Sequence, residues 1–171
     1  RELNSVKTNL KNQIDTKISR MQTLMVCSTK GTNCLCSTDS PGYHLVGNKC
    51  IYFEKTYLTW ENAKKGCKDK FANGGKLYEP LSLEENNDVH AIVEPLNPTD
   101  AFWIGVDDLS QEGSFMYSSS GSRISFNLPW HTNSNWGTKG SSNNCVLLYD
   151  DGGTWLDYSC TRNYPSVCES E

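Results

Sequence analysis

Eight cysteines in 171 residues are the feature that most constrains the fold of this chain. An even number of cysteines at this density is typical of proteins that fold in an oxidising compartment around a disulfide framework. A zinc site is the alternative, but no C-x-x-C pair occurs, and the histidines have no finger-like spacing to any cysteine. These histidines are His44, His90 and His131. The sequence therefore predicts disulfides, and because eight cysteines allow 105 pairings, the connectivity needs a further argument.

Composition and charge exclude several classes of protein. The formal net charge is −4, and Lys and Arg form no basic stripe of the kind that binds nucleic acid. No apolar run approaches the length of a membrane span. Arg1 is followed by no signal segment, so we expect any secretory signal to have been removed or to lie outside this sequence.

Catalytic motifs are absent from the sequence. It contains no G-x-S-x-G, P-loop or H-E-x-x-H pattern. Its adjacent acidic pairs are interpreted as solvated turn or cap residues rather than as facing catalytic carboxylates. These pairs are Glu84-Glu85, Asp107-Asp108 and Asp150-Asp151. We therefore predict a protein that is not an enzyme.

The first 26 residues differ from the rest because they contain no Gly, Pro, Trp, Tyr or Phe. Their apolar residues recur every three or four positions, which predicts an amphipathic helix. These residues are Leu3, Val6, Leu10, Ile14, Ile18, Met21 and Met25. Because a lone helix would expose this stripe to water, it either packs onto the main domain or joins identical chains. The narrow stripe without an aromatic anchor favours a homo-oligomeric coiled coil through residues 3–25.

Three regions are predicted along the chain. Residues 1–26 form a helical neck, residues 27–40 form a linker rich in Ser, Thr, Gly and Asn, and residues 41–171 form the main domain. In that domain we predict a strand over 49–53 and a helix from Thr59 to about Phe71, with Trp60, Ala63 and Cys67 on one face.

A second helix is predicted to start at a capping box. Ser82 stands at the N-cap and Glu85 at the N3 position, and Pro95 ends the helix. Strand-like runs follow over 101–106, 114–117, 145–149, 154–158 and 166–168. Helices followed by strands indicate an α+β fold.

One segment stands out as a loop. Residues 127–144 show no regular periodicity, and a loop of this length inside a compact domain is usually functional or disordered. Trp130 and Trp136 argue against disorder. We therefore expect this long loop to carry the function of the domain.

Several motifs, in order, resemble the C-type lectin-like domain in its long form, behind a helical neck. The segments that carry the resemblance are Cys67, 74–77, 82–86, Trp103-Ile104-Gly105-Val106, Glu112-Gly113, Trp130, Cys145-Val146, Trp155-Leu156-Asp157 and 164–168. The resemblance covers about residues 34–171. It implies an α+β fold with two helices, two small antiparallel sheets and a long loop region.

The resemblance also implies a disulfide pattern. Cys67 would pair with Cys168, Cys145 with Cys160, and Cys50 with Cys36 or Cys34. Of the two cysteines left over, Cys27 would form either an interchain bridge at the end of the neck or a bridge with Cys34.

In sugar-binding members of the family, oxygens from the long loop and the Trp-Asn-Asp strand hold one Ca²⁺, and sugar hydroxyls complete its coordination. The corresponding positions here are Asn133, Asn135, Asn143 and Asp157, with Leu156 in place of the strand asparagine. Because only Asp157 is charged and Ca²⁺ affinity rises with the number of carboxylates, we expect a degenerate Ca²⁺ site.

The same loop is predicted to bind a ligand without tight Ca²⁺. Trp136 would offer an exposed aromatic platform beside the amides of Asn133 and Asn135, with His131 and Tyr158 near it. The complete predicted ligand-binding set is Asn133, Asn135, Trp136, Asn143 and Asp157. The other tryptophans of the resemblance, Trp103, Trp130 and Trp155, are predicted to fill the core.

Together these features predict a secreted or extracellular recognition module. It would bind a glycan or a protein, in an innate-immune or adhesion role, with the neck raising avidity. A third hypothesis is that the chain is the ectodomain of a type II membrane protein, with the helix as its stalk. The alternative function is a structural or matrix-assembly protein whose head binds no sugar.

Overall fold

The structure is a computed structural model, and it describes residues 42–71, 74–96, 101–132, 142–149 and 151–170, with single positions at 11, 14, 36, 137 and 140. The chain divides into two compact units, residues 1–37 and 38–171. Lys11 and Ile14 are helical. The rest of the predicted neck, its self-association, and Cys27 and Cys34 lie outside the described residues, so the predicted domain bounds remain predictions.

Eight strands form the sheet of the second unit. They are β1 (Tyr43–Val46), β2 (Lys49–Leu58), β3 (Gly75–Leu77), β4 (Phe102–Asp107), β5 (Met116–Tyr117), β6 (Cys145–Leu148), β7 (Trp155–Tyr158) and β8 (Tyr164–Ser170). The main path runs β1-β2-β8-β4-β6-β7, with β3 beside β8 and β5 beside β4. The pairs within β1-β2-β8-β3 and within β5-β4-β6-β7 are antiparallel.

The two antiparallel sets meet at one point. Trp103 of β4 pairs in parallel with Ser166 of β8, and this pair joins the predicted small sheets into one mixed sheet. With two helices beside it, the sheet confirms the predicted α+β fold.

Two helices lie beside the sheet. Helix α1 (Trp60–Cys67) buries the predicted face of Trp60, Ala63 and Cys67, and it ends earlier than predicted because a 3-10 turn follows over Lys68–Lys70. Helix α2 (Leu83–Val93) begins at the predicted cap, where Ser82 Oγ accepts from Glu85 N at 3.1 Å. Neither helix, nor any other in the described part of the chain, is long and apolar enough to cross a membrane.

Strand β4 is the hallmark strand of the resemblance, because it contains the Trp103-Ile104-Gly105-Val106 motif, and it is buried along most of its length. The structure explains why this motif has glycine at position 105. An added Cβ at Gly105 would lie 2.7 Å from both Glu79 Cγ and Leu77 O. Gly105 N donates to Tyr78 O at 2.7 Å, so the backbone beside β4 packs too closely to admit a side chain. Trp103 and Trp155 are fully buried, as predicted, whereas Trp130 is half-buried and packs against the core.

Two disulfides tie this unit together. Cys67 of α1 is bonded to Cys168 of β8, and Cys145 of β6 to Cys160, just beyond β7. These are two of the pairs that the resemblance implies. Cys36 and Cys50 are each disulfide-bonded. The remaining predicted pairing, Cys36 with Cys50, stays a prediction.

Candidate functional site

The long loop leaves the sheet next to Trp155. Trp155 N donates to Pro129 O at 2.7 Å, and His131 N donates to Trp155 O at 3.0 Å. The ring of Trp130 packs edge-on against Trp155, with centroids 6.1 Å apart. The first residues of the loop therefore lie against β7 as a short parallel bridge.

Trp155 is itself held by helix α2. Its Nε1 donates to Asn86 Oδ1 at 2.8 Å, and Asn86 Nδ2 donates to Gly153 O at 2.8 Å. Asn86 is fully buried, so both bonds lie out of water. One amide side chain thus joins α2 to β7 and to the turn before it.

Inside the loop, Gly137 packs against the indole ring of Trp130, which itself packs against Trp155. It is buried with φ +80°, and an added Cβ would lie 2.6 Å from Trp130 Cε2. A side chain at Gly137 would therefore be excluded by both the backbone conformation and the indole ring. This contact anchors the middle of the loop.

The predicted site residues divide into two groups. Asn133, Asn135 and Trp136 lie outside the described residues, so their role stays a prediction. Asn143 is half-buried, and its N–H donates to Gly140 O at 3.0 Å. Asp157 is only 1% exposed on β7, where its backbone pairs with Val146.

Asp108 lies close enough to Asp157 for the two charges to interact, and Asn144 directly precedes β6, the strand that pairs with β7. Three strands meet here: the carboxyl end of β4 pairs with the start of β6, which pairs with the end of β7. Just beyond β4, Asp108 N donates to Asn144 O at 3.1 Å. Asp108 Oδ1 and Asn144 Oδ1 are buried and have no hydrogen-bond partner among the described residues. The other oxygen of Asp108 accepts from Gly113 N at 2.7 Å.

Asp108 corrects one prediction. It is 1% exposed rather than a solvated turn residue, because the turn to Gly113 folds over its carboxylate. Burial raises its pKa above the ordinary value, the Gly113 N–H opposes this shift, and the charge of Asp157 adds to it. Sequence reasoning missed Asp108 and Asn144 because their burial depends on strands distant in sequence.

The family that these motifs resemble often holds Ca²⁺ at this end of the domain, so we tested whether these oxygens could bind the ion. Ca²⁺ takes six to eight hard oxygens, and its affinity follows the count of carboxylates. The cluster of Asp108, Asn144 and Asp157 supplies two carboxylates and one amide oxygen, and the unpartnered oxygens of Asp108 and Asn144 are suitable donors. Within the described ranges, no group of three or more His, Cys, Asp or Glu side chains could hold a metal. Three oxygens fall short of the six to eight that Ca²⁺ takes, so among the described residues these side chains do not by themselves complete a Ca²⁺ site.

His131 is a titratable group at the start of the loop. Its Nε2 lies 3.0 Å from Asp151 Oδ2, and its ring packs edge-on against Tyr149 at 5.4 Å between centroids. His131 is only 9% exposed, so this hydrogen bond lies mostly out of water. The partner, Asp151, is a turn residue as predicted, and it is 70% exposed.

Comparison with known proteins agrees with this geometry. Residues 56–170 match the lectin C-type domain. A tetranectin-like protein from Carcharhinus perezii is 29% identical over 95% of this chain and 92% of its own. The alpha subunit of the snaclec rhinocetin from Bitis rhinoceros is 33% identical over 76% of this chain and 80% of its own.

A solved structure shows the same fold. The carbohydrate-recognition domain of the mouse scavenger receptor C-type lectin superposes with a TM-score of 0.64 and 27% identity, covering 77% of this chain and 97% of its own. The matched domain is a binding module and not a catalytic one. The buried hallmark strand, the two disulfides and the family match together show that this chain belongs to the C-type lectin domain family.

Proposed function

We propose that this chain is an extracellular recognition module that binds a glycan or a protein surface through the long loop. The observation that carries the proposal is the anchoring of the loop against the core. Trp155 holds its start, and the close contact of Gly137 with Trp130 holds its middle. A loop that is already anchored loses less conformational entropy when it binds a ligand. This property suits a loop that serves as a recognition surface.

The ligand-binding set remains Asn133, Asn135, Trp136, Asn143 and Asp157. An indole ring stacks on the apolar face of a sugar or fills a protein hot spot, and amides donate and accept hydrogen bonds beside it. Asp157 is buried, so its role would be to support the surface rather than to form it.

The calcium site is proposed to be degenerate. If Ca²⁺ binds, the predicted ligands Asn133, Asn135, Asn143 and Asp157 would hold it, and its charge would relieve the burial of the neighbouring carboxylates Asp108 and Asp157. Ligand recognition by the amides and the indole does not require the ion. Binding should therefore persist when Ca²⁺ is removed.

A glycan array and an extracellular-protein array, probed with and without EDTA, test this proposal. The wild-type chain is expected to bind at least one array target, with less than a twofold loss in EDTA. Replacing Trp136 by alanine should weaken that binding at least tenfold, because one well-buried aromatic anchor contributes about 2 kcal/mol. The matched control is Tyr57→Ala, which removes an exposed aromatic side chain near the end of β2.

Each remaining outcome has a clear meaning. Binding that vanishes in EDTA would show a tight Ca²⁺ site and overturn the degenerate one. Binding that survives Trp136→Ala would move the ligand surface away from the long loop. If the lectin-like domain binds no array target while the chain still self-associates, the result would favour the alternative function, a structural or matrix-assembly protein.

The neck is proposed to multimerise the module. A stripe of apolar residues over 3–25 is shielded when identical helices associate, and several weak sites on one particle then act with avidity. Analytical ultracentrifugation of the whole chain should give a particle mass that is a multiple of the chain mass. A chain that starts at Pro41 should sediment as a monomer, and equal association states for the two would contradict this part of the proposal.

A further inference from the structure

The turn between β6 and β7 carries an exposed carboxylate on a rigid backbone. The backbone oxygen of Asp151 accepts from Thr154 N at 3.3 Å and from Thr154 Oγ1 at 2.9 Å. Gly152 and Gly153 both have positive φ, and an added Cβ at Gly153 would lie 3.1 Å from the side chain of His90. With Gly153 O also bound to Asn86, the turn is held against helix α2.

The hydrogen-bond partner of the Asp151 carboxylate is His131, whose backbone and ring are both held by neighbouring residues. The backbone of His131 is bonded to Trp155, its ring packs against Tyr149, and its Nε2 lies 3.0 Å from Asp151 Oδ2. Nε2–H donates and the carboxylate accepts, which is a charge-assisted hydrogen bond. Because the fold already orders both partners, forming the bond costs little side-chain entropy.

We infer that Asp151 is a positioning residue for the long loop, acting through His131. The two residues are 20 positions apart in sequence, and their contact ties the base of the loop to a turn that α2 holds. Asp151 is 70% exposed, so removing its carboxylate leaves the hydrophobic core intact. The inference rests on the proposed function only for its effect on ligand binding.

Hydrogen exchange measured by mass spectrometry on the intact chain tests the inference. In Asp151→Ala, peptides that cover 128–144 should exchange about three- to tenfold faster, while peptides from β2, α1 and β8 should be unchanged. Asp151→Asn keeps an oxygen acceptor and should give an intermediate rate. The matched control is Asp69→Ala, which removes an exposed carboxylate from the 3-10 turn after α1 and should alter nothing in the loop.

Unchanged exchange over 128–144 in Asp151→Ala would overturn the inference, and so would faster exchange spread evenly over the whole chain. The same arrays used for the proposed function separate the two ideas. Faster exchange with array binding weakened three- to tenfold supports both. Faster exchange with unchanged binding supports the role of Asp151 and contradicts the long loop as the ligand surface.

Discussion

Replacing Cys67 and Cys168 together by alanine is expected to lower the free energy of unfolding by about 4 to 5 kcal/mol. The bond closes a sequence separation of 101 residues, and the denatured chain gains more entropy when a longer loop is released. It joins helix α1 to β8, the last strand of the sheet. A domain with total stability of about 5 to 15 kcal/mol would then be close to unfolding.

The second disulfide is the matched control. Cys145 and Cys160 are separated by 15 residues, so replacing this pair by alanine should cost only about 3 kcal/mol. Guanidinium unfolding followed by tryptophan fluorescence measures both losses. Equal losses, or a larger loss for the shorter loop, would show that strain or packing rather than chain entropy dominates.

Replacing Asn86 by leucine should be the most damaging single change of a polar side chain in the domain. It removes the acceptor for Trp155 Nε1 and the donor for Gly153 O. Both groups would remain buried without these partners, and each lost partner costs about 1 to 3 kcal/mol. We therefore expect the free energy of unfolding to fall by about 2 to 5 kcal/mol, measured by urea unfolding.

Asn87→Leu is the control on the same helix, because Asn87 is exposed and its side chain makes only a long 3.5 Å contact with Asn86 Nδ2. Its effect should stay within about 0.5 kcal/mol. Asn86→Asp should fall between the two, since its carboxylate still accepts from Trp155 but cannot donate to Gly153 when ionised. A loss below about 1 kcal/mol for Asn86→Leu would mean that other groups replace both bonds.

Local patterns predicted the helices well because their causes are local. The capping box of Ser82 and Glu85 forms within one turn of chain, and the apolar spacing of α1 marks its buried face. The long strand β2 extends five residues beyond the prediction, because its pairing with β8 continues to Leu58 with Tyr164 after a register shift. Such a pairing depends on a strand more than a hundred residues away and has no local signal.

The candidate site was only partly predictable for the same reason. Asp157 could be identified from its place after Trp155 and Leu156 in a family motif. Asn86, in contrast, looks like any polar helix residue until the fold brings Trp155 and Gly153 against it. Asp108 looks like a solvated carboxylate until the turn to Gly113 folds over it.

Residue spacing and the order of the motifs were enough to predict the family, the α+β class, the start of helix α2 and the burial of Trp103 and Trp155. The partners of the buried polar groups became visible only in the folded chain. The hydrogen bonds between Asn86 and Trp155 and between His131 and Asp151 join residues 69 and 20 positions apart. Such contacts depend on how the fold brings distant segments together, and hydrophobic periodicity along the sequence contains no information about them.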